Sequence, residues 1–100
     1  MNIDEIIFEP VSRNFSGGNE NQHAKTLYKG VEIHERTFFP WNFMKPSLTW
    51  YIVDLIFPIG TMECLTDKYY TEEGFGVPEV DTLEEAIAII DNFKSGKYEN

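Results

Sequence analysis

Two histidines, one cysteine and seventeen carboxylates are the side chains of this 100-residue sequence that could do chemistry. His34 stands in KTLYKGVEIHERT, with Glu32 two residues before it and Arg36 two after, and His23 precedes it by eleven positions. Two imidazoles with Glu32 or Glu35 have the donor types of a metal centre. Their separation matches none of the short paired ligand spacings of structural zinc sites, so His34 is expected to face solvent. Cys64 would make a thiol–imidazole couple if its strand lay beside that of His34. Its sequence neighbours Met62, Glu63, Leu65 and Asp67 include no cation to stabilise a thiolate, and it reads as a small hydrophobe in a strand. Glu72 and Glu73 with Asp67 lack the alternating oxygen ligands and placed glycine of a calcium loop. Gly17, Gly18, Gly74 and Gly76 are followed by no Lys-Ser/Thr pair, so no phosphate loop is present. The expectation is no catalytic residue, no metal ligand and no cofactor.

What remains is charge and aromatic surface. The formal net charge is −9. Residues 1–50 contribute five Lys/Arg against six Asp/Glu, and residues 51–100 three against eleven, so the halves carry −1 and −8. Such a field repels nucleic acid and anionic membranes and favours a basic protein partner. Lys25, Lys29, Arg36 and Lys45 are too few to build a basic groove for nucleic acid against it. No apolar run reaches the ~18 residues that a membrane span needs. The start, MNIDEIIFEP, lacks the basic and apolar regions of a signal peptide, and a single cysteine excludes an intrachain disulfide. Both observations suit a reducing, cytoplasmic setting.

These side chains must be positioned by a single domain, residues 1–100. IDEIIFEP is helix or strand, and Pro10 ends it. Polar NFSGGNENQH has no periodicity and predicts a mobile loop over 14–24. Val31, Ile33 and Glu35 alternate with Glu32, His34 and Arg36, a half-buried strand after a turn or bulge at Lys29-Gly30. Leu48–Phe57 is apolar on both faces, and Pro58-Ile59-Gly60 is a turn, which makes TMECLT the returning strand of a hairpin and DKYYTEEGFGVPEV a long acidic connection. In TLEEAIAIIDNFKSG, Thr82 and Glu85 form a capping box: the hydroxyl takes the Glu85 N–H and the carboxylate returns to the Thr82 N–H. Leu83, Ala86, Ile87, Ile90 and Phe93 form the buried stripe of a helix over 82–95. The resulting fold class is α+β, a small antiparallel sheet of three to four strands with one C-terminal amphipathic helix packed on one face.

The Tyr28-Lys29-Gly30 strand start, followed by Thr82-Leu83-Glu84-Glu85-Ala86 and Ile90-Asp91, resembles small phage and mobile-element proteins with a short antiparallel sheet and a closing helix. The resemblance spans about residues 25–95 and implies a genomic neighbourhood, not a reaction. Two surfaces are expected to bind. Glu84, Glu85 and Asp91 share one arc of the helix with Asp81, and Glu72 and Glu73 precede them, a row of carboxylates resembling a phosphate backbone. Phe39, Trp41, Phe43 and Met44 lie in an aromatic loop over 38–47, whose composition suits a protein interface. Phe38 and Trp50 are expected to turn inward from its ends. The expected function is a small inhibitor that occludes a basic, nucleic-acid-handling partner, as a phage antagonist or a nuclease-immunity protein does. The alternative is a structural module that pairs as a homodimer.

Overall fold

The computed structural model describes residues 5–41 and 46–98. Three two-residue reversals organise the chain. Gly17-Gly18, Lys29-Gly30 and Glu73-Gly74 have positive φ at both positions (59° and 86°, 51° and 80°, 48° and 86°). This is the primed turn geometry whose twist matches antiparallel strands. The first joins β1 (Glu9–Ser16) to β2 (Asn19–Tyr28), the second joins β2 to β3 (Val31–Phe39), and the third joins β6 (Lys68–Glu72) to β7 (Phe75–Val80). Between them lie β4 (Leu48–Val53), β5 (Phe57–Pro58) and α1 (Ile59–Leu65), and α2 (Leu83–Lys94) follows.

All pairings are antiparallel, in the order β1-β2-β3-β4-β7-β5 with β6 also on β7. Gly76 pairs with Phe57 and with Thr71, and Glu79 pairs with Ile52 and with Lys68. β4 and β5 therefore share one edge of β7, and β6 takes the other. Partner numbers sum to 131 along β4 and 133 along β5, so β5 continues β4 past a two-residue bulge.

Expected and observed architecture differ. Among the described residues, seven strands and two helices replace the expected small sheet of three to four strands with one helix. The mobile loop expected over 14–24 is a hairpin, the end of β1 and the start of β2. It showed no periodicity because β1 is exposed at every position. TMECLT is helical: Pro58 stands at the N-cap of α1, and Met62 is its buried residue. The long acidic connection is the β6–β7 hairpin, folded back at Glu73-Gly74. The aromatic loop begins later than expected, since Phe38 and Phe39 end β3.

Both helices cover one face of the sheet. Tyr28, Val31, Ile33, Val53, Phe57 and Val80 meet Met62 of α1 and Ala86, Ile89 and Ile90 of α2 there. The helix stripe is rotated from the expected one: Ile89 is buried, Leu83 and Ile87 are half-buried, and Phe93 stays exposed with its ring edge-on to Phe57 at 5.8 Å. α1 approaches closely because Gly76 has no side chain. A Cβ there would stand 3.0 Å from Met62 Cγ and 3.2 Å from both Tyr69 Cδ2 and the Tyr70 carbonyl. The Tyr70 carbonyl belongs to the backbone of the paired strand and has little room to give.

Two glycine substitutions should therefore part company in urea unfolding. Gly76→Ala is expected to destabilise by about 1–3 kcal/mol, as overpacking does. Gly60→Ala, with nothing within 4 Å of its added Cβ and a place inside α1, should be neutral or stabilising by up to ~1 kcal/mol.

Candidate functional site

The residues expected to bind do not form one surface. Phe39 and Trp41 lie at the far end of the β2–β3 arm, where the Trp41 backbone N–H donates to Asn19 Oδ1 at 2.8 Å. The Trp41 side chain, 70% exposed, stands over Gly18. Phe43 and Met44 lie outside the described residues. Phe38 and Trp50 are half-buried, but on the sheet face away from the helices, so neither joins the core. Glu72 and Glu73 are at the β6–β7 turn, beside Ile56, Tyr70 and Phe75. Glu84 is exposed at the start of α2; the Tyr51 hydroxyl is raised to about 12 by burial and then by the Glu35 carboxylate, with a lesser effect of the Glu84 charge.

Asp91 is engaged elsewhere. Its Oδ1 accepts from the Tyr28 hydroxyl at 2.8 Å and from Lys29 Nζ at 2.7 Å, tying α2 to the β2–β3 turn. The Lys29 ammonium, above all, lowers the Asp91 carboxyl below its ordinary value. Of the expected row of Glu84, Glu85 and Asp91, Asp91 is thus already paired with the turn while its side chain stays 42% exposed.

Carboxylates do converge at the opposite end of α2. Glu63 of α1, Asp67 just before β6, Glu79 of β7, Asp81 and Glu85 at the start of α2 surround a groove of ≈ 270 Å³. Lys68 is the cation on its wall, leaving a formal balance of five negative charges against one positive. Lys68 Nζ stands 3.8 Å from Asp81 Oδ1 with both side chains well exposed, a pairing that solvent screens to ~0–1 kcal/mol. The groove owes its shape to local structure. Thr66 Oγ1 donates to the Glu79 carbonyl and so pins the end of α1 against β7. The capping box forms with one change from expectation: the Thr82 Oγ1 accepts from the Glu85 N–H at 3.2 Å, and the Glu85 carboxylate accepts from that same hydroxyl at 3.1 Å instead of from the backbone. Cys64 also lines this groove and is exposed, not buried in a strand as expected.

The second cluster lies on the open face of the sheet. His23 Nε2 and His34 Nδ1 are 2.8 Å apart, and His34 Nε2 is 3.3 Å from Glu32 Oε2. One donor atom each from Glu32, His34 and Asp54 lie within 4.8 Å of one another. Burial, followed by the positive charge of Arg36, holds His23 below the ordinary imidazole value. The expectation that His34 simply faces solvent missed this chain of contacts. The signal was the Lys29-Gly30 turn: a two-residue reversal pairs Tyr28 with Val31 and Lys25 with His34, which sets His23 diagonally beside His34 on one face.

No family model, curated protein or solved structure matches this chain. Among the described residues no helix is long and apolar enough to cross a membrane. Functional reading therefore rests on the two clusters, and the acidic groove is the larger charge concentration.

The Asp91 clamp has a pH signature. Its folded-state value is depressed, so its contribution to stability is full above the unfolded carboxylate value of ~3.9 and is lost as pH falls through the folded value. Thermal melts of the parent and of Asp91→Asn should therefore differ most near neutral pH and converge at strongly acidic pH, below the depressed Asp91 value. Equal separation at both pH values would contradict the clamp.

Proposed function

We propose that this chain is a small acidic protein-binding module that acts by occlusion, with no chemistry of its own. The observation that carries this reading is the groove between α1, β7 and α2, which five carboxylates and one lysine line. A basic segment of a nucleic-acid-handling protein is the natural occupant, because closely spaced carboxylates offer it the charge that a phosphate backbone offers. Occupation of that segment would block the partner's own contact with nucleic acid. Phage or mobile-element antagonists and nuclease-immunity proteins work within this class. An exposed, unpaired Cys64 fits a reducing, cytoplasmic setting.

A second reading has its own observation. β1 is an edge strand, exposed throughout, with Val11 47% and Phe15 68% exposed. Unpaired edges template pairing with a second chain, so a homodimer formed along β1 is the rival. It predicts dimers in sedimentation without any partner.

Affinity capture from the native host distinguishes the two. The parent should retain a basic protein at low salt and shed it at high salt. The Glu63→Lys, Asp67→Lys double variant, at two exposed positions, should lose that protein while keeping its melting temperature. Undiminished capture by the double variant would remove the groove from the function.

A further inference from the structure

We propose that Glu32, His34 and Asp54 form a binding site for a divalent transition-metal ion of the zinc class, with His23 as its positioning residue. The site follows from strand register. Ile33 pairs with Val53, so the next pair sets Glu32 opposite Asp54, and the Asp54 N–H donates to the Glu32 carbonyl at 2.9 Å. Like charges directly opposite one another on neighbouring strands repel and destabilise a sheet. A divalent cation between them turns that repulsion into attraction.

The third donor is already in place. His34 lies two pairs along, on the same face, opposite Ile52. Its Nε2 is 3.3 Å from Glu32 Oε2, the separation that two ligands have on a tetrahedral ion with bonds of ~2.0–2.2 Å. The other ring nitrogen, Nδ1, is held at 2.8 Å by His23 Nε2. Metal-binding imidazoles are oriented in this way, by a hydrogen bond from the nitrogen that does not bind the ion. Lys25 touches Glu32 through the other oxygen, Oε1, at 3.7 Å, which leaves Oε2 on the metal side. An imidazole with two carboxylates suits zinc and its neighbours over calcium or magnesium, which prefer oxygen donors alone. Asp54 is exposed and Glu32 and His34 are half-buried, so the ion would keep a solvent-facing position.

The test is titration of zinc chloride into the full chain carrying Cys64→Ser, which removes a rival thiolate ligand at the acidic groove. Calorimetry should show one ion bound per chain at micromolar concentration. His34→Gln and Asp54→Asn should each weaken binding by about tenfold or more, and His23→Phe by a comparable factor, since loss of an orienting partner costs ~10–100-fold. Without zinc, Asp54→Asn should melt higher than its parent because the repulsion is gone; with zinc, the order should reverse. Absence of saturable binding below millimolar zinc, or an affinity indifferent to both His34→Gln and Asp54→Asn, would overturn the site.

Discussion

The reversal at Lys29-Gly30 is the constraint on which the rest of the molecule depends. Both residues have positive φ, a conformation that costs a non-glycine residue such as Lys29 roughly 1–2 kcal/mol. The structure holds Lys29 in it from outside: its ammonium is paired with Asp91 of α2 at 2.7 Å, and Tyr28 reaches the same carboxylate. The turn sets the register of β2 on β3, and β3 then sets β4. A slip of one residue would send Val31 and Ile33 to the open face and bring Glu32 and His34 beneath the helices. Burial of Ile33 and Val53 opposes that slip strongly, so the turn, the clamp and the core enforce one pairing together.

From that pairing comes a division of labour between the two ends of the sheet. The helices cover the end near the β2–β3 turn, and the core lies there, with Val80 of β7 in it. The remaining length of β1, β2 and β3 projects as a largely polar arm. Its ion pair, Arg13 to Glu20 at 2.8 Å, lowers the Glu20 carboxyl chiefly through the Arg13 hydrogen bond, and joins an exposed Arg13 to a half-buried Glu20. Carboxylates collect where α1, β7 and α2 meet, while imidazoles occupy the uncovered face. The two clusters are chemically distinct, since one offers diffuse negative charge and the other a small set of mixed nitrogen and oxygen donors.

How much of this was legible depends on whether the signal was local. α2 was, because Thr82 and Glu85 lie within one turn and the apolar positions repeat along one element. β3 was, because its residues alternate between core and open face. β1 and the distal part of β2 were not: neither face of the arm is covered by a helix, so no burial pattern is imposed on their residues. α1 is only seven residues long, too short for helical period to be told from strand alternation. The acidic groove draws residues from 63 to 85 and needs the tertiary packing of two helices. The His23–His34 contact was latent in the Lys29-Gly30 turn, but the polar stretch around His23 has no alternation to mark the strand that carries it.

Solution NMR of the isotopically labelled chain tests the register most directly. Cross-strand nuclear Overhauser contacts should pair Lys25 with His34, His34 with Ile52 and Ile52 with Glu79, as the ladders do. A ladder displaced by one residue, with Glu35 opposite Lys25, would part the imidazoles and contradict the placement of the open-face cluster.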